Sequence, residues 1–283
     1  MMRILITGAN GQLGHALQRV LQSETLILKD LPEFDLTSPA CADQIRAAKP
    51  QIILHAGAYT NVDQAEREPA RAHAVNGQGT RWVAQAAQAV EARLIFVSTD
   101  YVFDGMKATP YHERDEPRPL NQYGLSKYEG EQAVLTLCPG ALVVRTAWLF
   151  GHDGPNFVKT ITKLAQERPK LEVVADQRGC PTYAEDLARA LRDLAFGDLE
   201  GVCHVTNGGN CSWYEFAEAV VRHTGAPAAV LPITTAQAGR LAKRPSYSVL
   251  SQDRFASRYP ALPDWRDALS RFLKHASAPV SPA

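Results

Sequence analysis

Five short apolar runs mark the first half of the chain, at residues 3–7, 25–28, 51–55, 94–97 and 141–145. They are rich in Ile, Leu and Val and lack the alternation of a half-exposed strand, which predicts strands buried on both faces of a parallel sheet. Between them the spacing changes. Leu13, Leu17, Val20 and Leu21 recur at helical intervals after the first run, and an alanine-rich segment at residues 70–89 also reads as helix. Strands alternating with helices across short turns predict an α/β fold, a Rossmann-type doubly wound parallel sheet.

Beyond residue 150 the segments shorten and glycine and proline cluster, as in Gly154-Pro155, Gly179-Cys180-Pro181 and Gly208-Gly209. Helical patterns near 157–166, 183–196 and 214–223 are separated by brief strand-like runs at 172–174 and 202–205. This predicts a dinucleotide-binding domain over residues 1–150. A smaller mixed α/β substrate-binding lobe follows over residues 151–283, with strands shared where the chain crosses between the two. A last helix near 265–274 leads into residues 276–283, which are expected to fray. No internal repeat or coiled-coil heptad is visible.

Composition narrows the function classes. At 283 residues the chain is long enough to bury a sizeable core. Lys plus Arg balance Asp plus Glu at 30 each, which gives no electrostatic reason to expect nucleic acid or a membrane surface as partner. The five cysteines are scattered without a C-x-x-C pair, a pattern of reduced thiols rather than a disulfide framework or zinc site. The opening apolar run is too short for a signal-peptide core, and no run approaches the ~18 residues of a membrane span. The expectation is a soluble, cytoplasmic protein.

Candidate chemistry begins at the first turn. Gly8, Gly11 and Gly14 stand between the first strand and first helix, with Gln12 and Leu13 among them. Glycines there allow a tight turn and close backbone approach to a pyrophosphate resting on the positive end of a helix. The spacing is G-x2-G-x2-G rather than G-x-G-x2-G, and an ordinary glycine turn would look similar. Asp30 ends the second strand about 20 residues on, where a carboxylate can bind the adenosine ribose. Asp35, with Leu36, is a second candidate near the adenine. Lys29 beside Asp30 leaves NADH and NADPH both open. Ala58, Tyr59 and Thr60 follow the third strand and let backbone pass close to a cofactor. His55 reads as a packed histidine, since no metal-like spacing accompanies it. Asn76 marks a break in the 70–89 helix from which an amide could face the site.

The fourth strand ends in Ser98-Thr99-Asp100-Tyr101, at the sheet edge where ligands bind in open α/β folds. Tyr123 and Lys127 follow on a predicted helix, four apart and so on one face. A cation beside a phenol lowers its pKa, giving a group able to protonate a carbonyl oxygen near neutral pH. Alone, Tyr-x3-Lys is also an ordinary surface pair in which lysine lies along the ring. The dinucleotide turn, the α/β alternation and the Thr99 hydroxyl together favour the catalytic reading.

With these motifs in hand, the chain resembles the extended short-chain dehydrogenase/reductases, and among them the dTDP-4-dehydrorhamnose reductase family. The marks are the run Gly8 to Gly14, Ala58 to Glu66, Ser98 to Gly105, Tyr123 to Lys127, Arg145-Thr146-Ala147-Trp148, and Arg244-Pro245. The resemblance implies reduction of the C4 keto group of dTDP-4-dehydro-L-rhamnose with NADPH or NADH. Tyr123 would donate the proton, Lys127 would tune it and hold the nicotinamide ribose, and Thr99 would bond the reacting oxygen. Asp100 and Trp148 would contact the sugar nucleotide, as would Asn156, Phe157, Pro181-Thr182 and Arg244 on its far side. It also implies a homodimer with Mg2+ at an acidic contact, for which no matching acids are found in this sequence. Two alternatives stay open: a reductase, epimerase or dehydratase of a related nucleotide deoxysugar, and a non-catalytic dinucleotide-binding regulatory subunit. The carboxylate pair a dehydratase needs after the threonine is absent, since Thr99 is followed by Asp100 and Tyr101.

Overall fold

The structure is a computed structural model and describes residues 1–276. The terminus expected to fray lies, from residue 277 on, outside the described residues. Six parallel strands form the main sheet: β1 (Arg3–Thr7), β2 (Thr25–Lys29), β3 (Ile52–His55), β4 (Arg93–Thr99), β5 (Leu142–Thr146) and β6 (Gly201–His204). Their order is β6-β5-β4-β3-β1-β2. From β1 the chain steps to β2 on one side and to β3 on the other. That reversal opens a crevice at the carboxyl ends of the strands.

Every residue of β3 and β5 is buried, as unbroken apolar runs require. Successive side chains point to opposite faces, so the core has two layers. On one face Ile4, Ile6, Ile95 and Val144 pack with Leu13 and Leu17 of the helix Gln12–Val20 and with Leu187, Leu191 and Leu194 of the helix Ala184–Ala195. On the other, Leu5, Ile53, Leu94, Phe96 and Val143 meet Ile45, Val83, Ala87 and Val134. The strands sit within a residue or two of the predicted runs, but β4 continues through Ser98 and Thr99. The segment expected as one helix with a break at Asn76 is three pieces. A π-helical turn, His73–Gly79, joins Pro69–Ala72 to Thr80–Ala89.

The later residues build a third core of Phe150, Val158, Phe216, Trp265 and Phe272, beside a parallel strand pair, Lys170–Val174 with Ala229–Ile233. The chain also crosses back into the main sheet, where β6 pairs with β5. All five cysteines are buried free thiols. Among the described residues, no helix is long and apolar enough to cross a membrane.

Candidate active site

One cavity of about 660 Å³ runs along the carboxyl edge of the sheet. Its floor at one end is the first turn. Gly8 has φ +67°, and a Cβ there would lie 2.7 Å from the Gly57 nitrogen. A Cβ on Gly14 would lie 2.2 Å from the Gly8 carbonyl oxygen, so only glycine lets the helix start this close to the strand. Gly8, Gly11, Gln12, Leu13, Gly14, Asp30, Asp35, Leu36, Ala58 and Thr60 all line the cavity. Asp30 Oδ2 accepts from the Asn10 nitrogen at 2.7 Å, which pins the glycine turn to the end of β2. The tight turn, the open helix terminus and the carboxylate at the far strand fit the pyrophosphate and ribose of a dinucleotide. Ser98 and Thr146 also line the cavity.

At the other end the cavity reaches Thr99, Asp100, Tyr123 and Lys127. The helix Gln122–Leu137 carries the last two, and its start is fixed by Asn121, whose side chain accepts from the Gly124 nitrogen at 2.7 Å. A Cβ on Gly124 would sit 2.1 Å from the Tyr101 carbonyl oxygen. Glycine there lets the helix press against the loop after β4, and that contact brings Tyr123 to Thr99. The phenol lies near the Thr99 hydroxyl and meets the Tyr101 ring edge-on at 5.9 Å between centroids.

The electrostatics differ from the expectation of a phenol acidified by lysine. Burial pushes the Tyr123 phenol up to about 12, with the nearby Thr99 hydroxyl pulling it down and Asp100 pushing it further up. Lys127 points past the phenol. Its Nζ donates to the Val97 carbonyl at 2.7 Å and lies 4.1 Å from the centre of the Phe96 ring. Burial lowers this lysine to about 7, against an upward pull from Glu131 one helical turn away. Desolvation is the largest influence at both groups, Lys127 being buried and Tyr123 half-buried against the loop after β4. The phenol is therefore protonated at neutral pH, the state a proton donor needs.

Three expected site residues are placed elsewhere. The Tyr59 phenol donates to Glu68 Oε2 at 2.9 Å, and its backbone amide and carbonyl are both held by the Asn76 side chain. Asn156 is used as a helix cap, accepting from the Lys159 nitrogen, and its amide donates to Gln12 Oε1 and the Gly151 carbonyl. Arg244 forks onto Asp63 at 3.0 and 3.3 Å, which turns that face of its guanidinium to the protein rather than to a ligand. None of the three lines the cavity, and neither do Phe157, Pro181 and Thr182. Lys29, weighed as a phosphate ligand, donates to Gln44 at 2.8 Å. Asn76 faces inward as expected, but bonds Tyr59 and Ser126 rather than the cavity. His55 is packed as expected, between Thr7 and Thr80, and burial lowers it to about 3.

Trp148 lines the cavity as expected, in a left-handed conformation with φ 47°. Its indole stacks on Trp213, with centroids 3.5 Å apart and planes 6° from parallel. Trp213 was not anticipated. Its local signal is the capping box of Ser212 and Glu215, which announces a helix but not which way its first side chain points. Among the described residues no group of three or more His, Cys, Asp or Glu could hold a metal ion.

The family described as RmlD substrate binding domain matches residues 2–278. The chain is 42% identical to the dTDP-4-dehydrorhamnose reductase of Aggregatibacter actinomycetemcomitans, over 98% of this chain and 100% of that one. It is also 42% identical to a probable dTDP-4,6-dihydroxy-2-methyloxan-3-one 4-ketoreductase of Streptomyces antibioticus, over 95% and 93%. Among solved structures, dTDP-4-dehydrorhamnose reductase from Bacillus anthracis in complex with NADP superposes with a TM-score of 0.92 at 42% identity, covering 97% of this chain and 99% of that one.

Proposed function

This chain belongs to the RmlD substrate binding domain family, and on that premise we propose that it is an NAD(P)H-dependent reductase of dTDP-4-dehydro-L-rhamnose, yielding dTDP-L-rhamnose. The observation that carries the reading is the meeting of Thr99, Tyr123 and Lys127 in the cavity that also holds the glycine turn. When bound, a reduced nicotinamide supplies the hydride for C4 of the sugar. Gly8 to Gly14 and Asp30 bind the dinucleotide at one end. Tyr123 gives its phenol proton to the oxygen that becomes the C4 hydroxyl, and Thr99 orients the phenol. Lys127, whose amine burial brings to about 7, is the donor for the nicotinamide ribose rather than a fixed positive charge beside the phenol. The Trp148–Trp213 stack walls the sugar side, where an apolar face suits a 6-deoxy sugar.

The test is oxidation of NADPH and NADH in parallel, each with dTDP-4-dehydro-L-rhamnose. Stoichiometric oxidation with formation of dTDP-L-rhamnose supports the reading, and consumption of neither cofactor overturns it. The equal likeness to a 4-ketoreductase acting on another deoxysugar gives a second reading, for which the same assay with related 4-keto dTDP-deoxysugars decides by kcat/KM. A homodimer and a cytoplasmic location belong to the same proposal. Light scattering of the purified chain and cell fractionation check them.

A further inference from the structure

The loop after β4 and the segment 246–251 meet across the two parts of the molecule. Ser248 is held from both sides. Its nitrogen donates to the Arg178 carbonyl, the Arg178 nitrogen donates to the Ser246 carbonyl, and Tyr111 and Ser251 close a second pair of bonds just beyond. Its side chain is 2% exposed and donates through Oγ to Asp100 Oδ2 at 2.5 Å. The other oxygen of the same carboxylate, Oδ1, accepts from Thr99 Oγ1 at 3.1 Å. Thr99 has one proton, so while it is given to Asp100 the Thr99 oxygen is left as an acceptor. It takes the Tyr101 amide at 3.2 Å and faces the Tyr123 phenol.

We propose that Ser248 is a positioning residue for catalysis: its hydroxyl holds Asp100 as a carboxylate, Asp100 fixes the direction of the Thr99 proton, and Thr99 thereby aims the Tyr123 phenol. Nothing in the first-strand turn or the Tyr-x3-Lys helix performs this step, which comes from the opposite part of the chain. The balance of forces on Asp100 makes the arrangement sensitive. Burial drives this carboxyl up to about 7, and Ser248 is the largest influence opposing it, ahead of Thr99 and the local backbone. The titratable groups facing Asp100 are the phenols of Tyr101, beside it in the loop, and Tyr123, on the helix, with the Cys180 thiol across from them. A protonated Asp100 no longer needs the Thr99 proton, and the hydroxyl is free to turn.

The proposal rests on the catalytic reading of Thr99 and Tyr123, and its test separates the two. In NADP-loaded protein, the protonated-carboxyl infrared band that disappears in Asp100→Asn is titrated in wild type, Ser248→Ala and Ser248→Thr. We expect the midpoint to rise by about one pH unit, tenfold in the proton equilibrium, in Ser248→Ala and to return close to wild type in Ser248→Thr. The acid limb of kcat should move with it, while the NADPH Kd and the KM for the keto sugar stay within about twofold. An unmoved Asp100 midpoint in Ser248→Ala overturns the proposal. So does a kcat profile that ignores a moved midpoint. Should the alanine variant fail to fold, Ser248→Cys, similar in shape but a weak donor, gives the same two readings. Wild-type protein inert toward every keto sugar tested would sink the proposed function, yet the infrared titration would still decide whether Ser248 controls Asp100.

Discussion

At the scale of single residues, the site sets two neighbouring groups against each other through burial. Tyr123 is kept protonated by its surroundings and lies against Thr99. Replacing it with phenylalanine removes one hydroxyl and leaves the ring. Tyr123→Phe should cut kcat by roughly 10²–10⁴ with NADPH affinity near normal, as loss of a general acid does. Turnover within tenfold of wild type would remove Tyr123 from the role. Lys127 has a folded-state pKa near 7, well below the ordinary lysine value of about 10.4. Between those two values the unfolded chain binds more protons than the folded one, so this group makes stability rise with pH through that window. Its contribution is lost as pH falls through about 7, where the buried amine must charge. The cofactor-free protein carrying Lys127→Met should therefore gain most over wild type below pH 7 and converge on it by about pH 10, in urea midpoints taken across pH. A constant difference would show that lysine burial does not govern the effect.

At the scale of elements, the helix Gln122–Leu137 depends on two close approaches. Its glycine near the start, Gly124, leaves no room for a methyl against the Tyr101 carbonyl. Gly124→Ala should destabilise by about 1–3 kcal/mol, the usual cost of overpacking, and lower kcat because the helix start carries Tyr123. Further along, Glu131 is fully buried and takes two hydrogen bonds from Arg145 of β5, at 2.9 and 2.6 Å. Arg145→Met strands a buried carboxylate and should cost about 3–5 kcal/mol, read in urea unfolding. Replacing both partners with apolar residues should restore much of that. Much of this was legible from sequence. The strands of the main sheet show as apolar runs because both faces are covered, and Asp30, Thr99 and Trp148 stand where strand ends predict ligand contacts. The misplaced residues share one cause. Arg244, Asn156 and Tyr59 have chemistry suited to a nucleotide, but Asp63, a helix terminus and Glu68 reach their polar atoms first. Arg244 and Asp63 are 181 positions apart, beyond what local pattern can reveal, whereas the Asn156 cap and the Tyr59–Glu68 bond, three and nine positions apart, are local competitions that outweigh the ligand reading.

At the scale of the whole molecule, the change of character near residue 150 does not coincide with the edge of the main core. Leu187, Leu191 and Leu194 pack against β1 and the first helix, and β6 extends the sheet beside β5. A fragment ending at residue 150 keeps the helix Gln12–Val20 on that face but loses Leu187, Leu191 and Leu194 and the β6 edge. We expect residues 1–150 alone to show no cooperative urea transition by circular dichroism, whereas the full chain does. A sharp transition in the fragment would establish an autonomous first domain. The crossing also explains how Ser248 and Trp213 reach a site whose reacting groups come from the first half.

The paired indoles of Trp148 and Trp213 have an optical consequence. Two aromatic rings lying parallel at 3.5 Å share their excited states, which shapes both the near-ultraviolet circular dichroism and the emission of the chain. A guest that enters beside them changes that coupling without any label. The cleft thus carries its own spectroscopic gauge of occupancy, one that Trp213→Phe should silence while Trp82 and Trp265 go on emitting elsewhere.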